Sequence, residues 1–330
     1  VAKRYDFVLT WVNSPEEKFV QWLKRECKLR RINMLVAGPD NVRAIVRDTE
    51  EGLARIGFLL DNEADYTDPI NVMGRLCYAV KDKGGYVVCD PDYARASSNK
   101  SIAHYDLMKA GIDVPYTLVV RNWQPDTFEL SGQEKKRLGG EFIIKPATGF
   151  GQRGIVKNAK GSIAEIAYAR NFNRGDNFLL QEKVAPLTLD GKMAWFRVYY
   201  MFGEIIPCWW DTGTGRYAHV TFKEFATHKL TPLARIVSQI ANITRLEFFT
   251  SEIALIKAGN GARKFIAIDY VNDQPELCVR PEAINGPLPD IVEHIAARCV
   301  ELAWRLIHNY PVMLHRSISL GKLNLIDETI

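Results

Sequence analysis

The stretch Glu141-Phe142-Ile143-Ile144-Lys145-Pro146-Ala147-Thr148-Gly149-Phe150-Gly151-Gln152-Arg153-Gly154 decides how the rest of this chain is read. Residues 142–144 form a short apolar run that delivers Lys145 and Pro146 into a loop with glycines at 149, 151 and 154. Apolar residues resume at Ile155 and Val156, so the pattern predicts strand, glycine loop, strand. Glycine lets backbone N–H groups approach a ligand closely, and several in one loop can wrap phosphate oxygens. The spacing is not that of a P-loop, which ends in Gly-Lys-Ser/Thr. Nor is it a Rossmann fingerprint, because no helical pattern follows. Taken alone, the stretch equally fits an ordinary hairpin with a glycine turn.

Three later segments extend the pattern. Residues 178–184, Phe-Leu-Leu-Gln-Glu-Lys-Val, read as an apolar strand ending in polar residues. Residues 195–202, Trp-Phe-Arg-Val-Tyr-Tyr-Met-Phe, turn at Gly203-Glu204 into Ile205-Ile206-Pro207. Residues 251–256 and 265–275 read as a second hairpin carrying Glu252, Asp269, Asn272 and Asp273. In this order (lysine strand, Gln-Glu hinge, arginine strand, two acid-bearing strands) the set resembles the ATP-grasp family, over about residues 85 to 305.

That resemblance implies an N-terminal open parallel α/β sheet followed by two α+β subdomains that grip ATP. It implies a division into an N-terminal domain at 1–98, a first subdomain with the glycine loop at 99–182, a second with the metal site at 183–310, and a tail at 311–330. Lys145 and Lys100, the latter at a helix start ahead of Gly111-Ile-Asp-Val-Pro-Tyr-Thr117, are implied phosphate ligands. A helix N-terminus attracts anions, which gives Lys100 a mechanism; a solvated surface lysine is the competing reading. The loop from Thr148 through Gly149 and Gly151 to Gly154 would close over the β- and γ-phosphates. Gln181, Glu182, Lys183 and Val184 match the adenine hinge, where contacts are mostly backbone, and Asp190 is placed near the ribose.

Arg197 stands among Trp, Phe, Val and Tyr and needs a partner. It is either half of a structural salt bridge or the group that stabilises the transferred phosphoryl. Glu252, Asp269 and Asn272 are the magnesium candidates; the metal favours hard oxygen ligands. Here the sequence departs from the family's Glu-x-Asn-x-x-Pro. It has Asp269-Tyr-Val-Asn272-Asp-Gln-Pro275, which leaves either Asn272 or Asp273 facing the metal, because neighbouring strand residues point to opposite sides. The implied activity is an ATP-dependent carboxylate–amine ligase, taking small-molecule or peptide acids and amines through an acyl phosphate. A small-molecule kinase on the same fold and a non-catalytic ATP-binding module are the rivals.

Composition bounds these readings. The chain has 330 residues, 47% hydrophobic and 25% charged, ordinary for a globular protein with a substantial core. A net charge of +4, from 43 basic and 39 acidic residues without a basic run, gives no support to nucleic-acid binding. No apolar stretch reaches the ~18 residues of a membrane span, and the start lacks the core of a secretory signal. The expectation is a cytoplasmic protein without a membrane partner, with oligomer formation left open. Cysteines at 27, 77, 89, 208, 278 and 299, with no Cys-x-x-Cys pair, are expected to be buried reduced thiols.

Elsewhere the pattern predicts strands at 7–9, 34–36, 58–60 and 85–89 alternating with helices. The first helix is expected to open with Ser14-Pro15-Glu16-Glu17 as a capping box, and another to lie near 48–56. The helix after Asn99 is expected to carry Ile102, Tyr105, Leu107 and Met108 as its larger apolar residues. Further helices are expected near 162–171, 231–246 and 290–307. The chain from 185 to 194 reads as loop, and 208–222 as a segment overhanging the site.

Overall fold

Phe7, Val8 and Leu9 have no solvent-exposed surface, as a strand covered on both faces requires. In the computed structural model, which describes residues 2–149, 151–310, 317–320 and 323–326, they lie in the strand Lys3–Thr10. That strand pairs in parallel with Met34–Ala37 on one side and Ala54–Leu60 on the other. Tyr86–Val87 completes a four-stranded parallel sheet. The chain divides into two units, one from Val1–Arg95, Trp195–Thr250 and Asn272–Ile330, the other from Ala96–Ala194 and Ser251–Val271. The parallel sheet belongs to the first.

The helices over this sheet are Lys18–Leu29, Val42–Glu50 and Val72–Asp82. The helix expected near 48–56 lies earlier, because Val42, Ile45, Val46 and Thr49 supply the buried stripe and the chain turns at Gly52, with φ 75°. The capping box at Ser14 does not form. Glu17 is itself the residue before the first helical one and caps nothing; its carboxylate accepts from the Trp11 indole N–H at 3.1 Å. A short helix at Pro91–Ser97 was not expected.

The first unit also holds the antiparallel pair Trp195–Met201 and Glu204–Asp211, with Arg197 opposite Cys208. Their tight turn is centred on Phe202 and Gly203, both at positive φ, rather than on Gly203-Glu204. Within the segment 208–222, Trp209 and Trp210 are buried in the strand Glu204–Asp211, whose end pairs with Arg216–His219. An unexpected helix, Phe222–His228, follows. The helix Thr231–Thr244 packs on the hairpin through its buried Leu233, Ile236, Val237 and Ile240 side. Pro289–Ile307 packs on Lys18–Leu29. Of the predicted tail, only Ser317–Leu320, parallel to the Glu204 strand, and Leu323–Ile326 lie within the described residues.

The second unit is built on an antiparallel sheet in the order Thr117–Val120, Phe178–Glu182, Phe142–Pro146, Val156–Ala159. Two helices, Gly132–Leu138 and Ile163–Arg170, start in full capping boxes from Ser131 and Ser162. Leu130, Leu138, Phe142, Ile144, Ile166, Phe178 and Leu180 form the core. The loop expected at 185–194 contains a small hairpin, Thr188–Leu189 with Lys192–Met193. Asp190 and Gly191, at φ 47° and 78°, make its turn. The strands Phe248–Lys257 and Arg263–Asn272 pair consecutively, and their residues 251–271 belong to this unit. Together these give a mixed α/β protein with one parallel sheet and otherwise mostly antiparallel strand pairing.

Candidate nucleotide site

The glycine loop is held at its entry by four hydrogen bonds. The Lys100 amide donates to the Ala147 carbonyl at 2.7 Å, and the Lys100 ammonium donates to the Gly149 carbonyl at 2.7 Å. The Thr148 amide and hydroxyl both donate to the Asp176 carboxylate, at 2.7 and 2.8 Å. Beyond these anchors the backbone takes shapes that favour glycine: φ is 122° at Gly149, 62° at Gly151 and 70° at Gly154. At Gly154 a side chain would also meet the Phe172 ring at 2.5 Å.

Lys145 is the last residue but one of the strand Phe142–Pro146 that leads into this loop, opposite Leu179, and is only 7% exposed. Its ammonium lies 3.5 Å from the Ile268 carbonyl and over the Tyr270 ring, 5.6 Å from the ring centre. An ammonium carries three donors, and 3.5 Å is the outer limit of a hydrogen bond. Burial pulls the Lys145 pKa below the ordinary lysine value; Asp269 opposes that, Lys100 adds to it, and Glu252 opposes it. A buried cation so lightly neutralised fits a bound anion such as a phosphate chain.

Tyr270 was not among the sequence candidates, nor was His104. The Tyr270 hydroxyl sits 2.7 Å from His104 Nδ1 and 3.2 Å from the Gln181 amide nitrogen. The same amide reaches the Thr117 hydroxyl at 3.2 Å. His104 lies on the buried side of Lys100–Lys109 with Ser101, Ala103 and Leu107, whereas Ile102, Tyr105 and Met108 are exposed. The helix therefore turns His104 and Ser101 inward beside Leu107, while the other three larger apolar residues face out. Burial, helped by the charge of Lys145, pushes the His104 pKa down to about 4, so the ring is neutral. Its one sequence signal was position: four residues after Lys100, it shares a helix side with that lysine.

Gln181 is buried and engaged in this network. The Glu182 carboxylate accepts from the Tyr116 amide at 2.7 Å, and the Glu182 amide donates to the Tyr116 carbonyl at 2.9 Å. Its side chain fixes the neighbouring strand. Lys183 pairs with Glu141 at 2.8 Å and with Asn158, and Val184 is half-buried. Asp190 is exposed at the tip of its hairpin.

Glu252 and Asp269 are half-buried on the paired strands, and both act on the Lys145 charge. The Asp269 carbonyl accepts from the Ser251 hydroxyl at 3.3 Å. Among the described residues no group of three or more His, Cys, Asp or Glu could hold a metal ion. The carboxylates of Glu252 and Asp269 are hard oxygen donors of the kind magnesium favours, the metal taking further ligands from phosphates and water. Asn272 is the last residue of the strand Arg263–Asn272, and Asp273 follows it.

In the first unit, the Arg197 guanidinium donates to the Tyr217 hydroxyl at 2.9 Å and stacks over Trp210, 4.3 Å from the ring centre. All six cysteines are buried and free. Among the described residues no helix is long and apolar enough to cross a membrane.

No family model matches the sequence, and no curated protein does. Solved structures match over most of their length. The chain is similar to a RimK domain protein ATP-grasp from Sphaerobacter thermophilus, at 14% identity over 89% of this chain and 98% of that one, TM-score 0.60. It is similar to the D-cycloserine synthetase DcsG, at 14% identity over 91% and 99%, TM-score 0.58. It is also similar to a D-alanine–D-alanine ligase from Bacillus anthracis complexed with ATP, at 12% identity over 93% and 99%, TM-score 0.57. At such identities the likeness speaks for the fold alone: the chain has the ATP-grasp fold.

Proposed function

We propose that this protein is an ATP-dependent carboxylate–amine ligase. The observation that carries the reading is Lys145, a buried, lightly neutralised ammonium between a glycine loop and two carboxylate-bearing strands. Lys145 and Lys100 are assigned the phosphates, with backbone N–H groups of the loop from Thr148 through Gly149 and Gly151 to Gly154. Residues Gln181, Glu182, Lys183 and Val184 are assigned the adenine through their backbone, with Glu182 also bracing the strand beside it. Asp190 is assigned the ribose. The functional division is proposed at residues 99, 183 and 311.

A substrate carboxylate oxygen attacks the γ-phosphorus, the bond to the β–γ bridging oxygen breaks, and ADP leaves. The amine of the second substrate then attacks the acyl carbon of the acyl phosphate, phosphate departs with the C–O bond electrons, and the amine proton is lost. The product is an amide. A carboxylate is a poor acylating group and phosphate a good leaving group, so the protein's task is positioning and charge neutralisation. Magnesium, held by Glu252, Asp269 and Asn272 together with phosphate oxygens, supplies charge neutralisation when bound. Arg197 is assigned the oxygens of the transferred phosphoryl group. The acid and amine are small molecules or peptide ends.

ATP turnover with pooled acids, with and without pooled amines, tests this. Amide formation and amine-dependent phosphate release are expected. A phosphorylated product made without any amine requirement would turn the reading to a kinase, and tight binding without turnover to a nucleotide-binding module.

A further inference from the structure

A buried lysine on a long unbranched stem is held only if something fixes its head group. Here, among the described residues, the hydrogen-bond acceptor for the Lys145 ammonium is the Ile268 carbonyl at 3.5 Å, and the group beneath it is the Tyr270 ring. That ring is itself fixed. Tyr270 is 1% exposed, and its hydroxyl is held by His104 at 2.7 Å and Gln181 at 3.2 Å, with Gln181 tied on to Thr117. An amide nitrogen can only donate, so the Tyr270 oxygen accepts from Gln181; with neutral His104, the phenol proton goes to Nδ1. The network therefore runs in one direction, from Gln181 through Tyr270 to His104. A buried hydrogen-bonded network of this kind restrains the ring it holds. It is also connected to the strands that supply the site, because Gln181 lies on Phe178–Glu182 and Tyr270 lies next to Asp269.

We infer that Tyr270 is a positioning residue for nucleotide binding. Its ring face, locked by His104 and Gln181, holds the Lys145 ammonium at the end of its strand, ready for the phosphate chain of a nucleoside triphosphate. A cation over a desolvated aromatic face is attracted by the ring's negative face, enough to set a side chain's position. Tyr270 itself touches no phosphate; it acts through Lys145. The inference rests on the proposed nucleotide reading of Lys145.

The test is a calorimetric series with the full chain, titrated with Mg-ATP and with adenosine. Tyr270→Met is expected to weaken ATP binding on the order of tenfold, within the range for a desolvated cation–ring contact, and to leave adenosine unchanged. Tyr270→Phe keeps the ring and is expected to keep ATP affinity while lowering the melting temperature, since His104 and Gln181 lose a partner. In a Lys145→Met background, Tyr270→Met should cost nothing further, the signature of two residues acting as one. Should the Met variant not fold, progressively fluorinated phenylalanines at position 270 drain the ring face at nearly constant size, and ATP affinity should fall step by step. Full additivity of the two substitutions, or ATP affinity indifferent to ring fluorination, overturns the inference while leaving Lys145 in place. An unaltered ATP affinity in Lys145→Met removes the nucleotide reading underneath it.

Discussion

Two buried charges in this molecule are treated in opposite ways. Glu204, 4% exposed in the first unit, accepts from His294 at 2.8 Å and from the Ser319 hydroxyl, with Arg298 at 3.5 Å. Although burial pushes its pKa up, the His294 and Ser319 bonds and the charges of His294 and Arg298 hold the carboxyl below the usual range. Lys145, 7% exposed in the second unit, has one long carbonyl contact and a ring, and burial lowers its pKa. Glu204 is satisfied inside the fold and reads as structure. Lys145 has few groups of its own protein to stabilise it as a cation, as the proposed role of binding an anionic ligand would require.

The largest effect expected from this contrast is on Glu204. Glu204→Ala removes the carboxylate that ties Pro289–Ile307 and Ser317–Leu320 to the hairpin strand, and should cost about 3–5 kcal/mol of stability. Denaturant unfolding measures it, and a midpoint within error of wild type would dissolve the structural half of the contrast. Next comes Asp269→Asn, expected to keep most ATP affinity and lose at least ~10²-fold in phosphate release, comparable to removing a preorganised electrostatic group. Wild-type turnover across a magnesium titration would take Asp269 out of the metal site.

A smaller effect is expected at Gly154, where φ is 70°. Gly154→Ala should cost roughly 1–2 kcal/mol through the left-handed backbone. The Phe172 ring, 46% exposed, can swing aside. A thermal melt that does not move would mean the loop readjusts freely. The smallest effect is the pH response. Because burial lowers the Lys145 pKa from 10.5, the unfolded chain binds more protons between the lowered value and 10.5. This group's contribution to stability therefore rises with pH through that window, while ATP affinity falls as the ammonium is lost. Affinity and stability moving in the same direction there would contradict the assignment.

Much of this was legible from the chain. Strand, glycine loop and strand follow from an apolar run broken by glycines at positions the backbone takes at positive φ. The paired acid strands followed from two apolar runs read as a hairpin. What failed did so where composition masked pairing. The pattern gives no strand at residues 208–211 because tryptophans meet glycines and threonines just beyond them, yet they continue a strand that pairs with Arg216–His219. The helix Phe222–His228 did carry a signal, a capping box from Thr221 to Glu224. His104 was hidden because a single histidine in an apolar helix has no local pattern; only tertiary contact with Tyr270 reveals its use.

The most direct test is Mg-ATP titrated calorimetrically into wild type and Lys145→Met, with the melting temperature of each recorded without ligand. Affinity should fall by about 1.5–3 kcal/mol, the range for a hydrogen bond to a charged group. The ligand-free melting temperature should hold or rise, because an uncompensated buried charge has been removed. Equal affinity in the two proteins, or a variant that binds less only because it has unfolded, would contradict the assignment of Lys145 to the nucleotide.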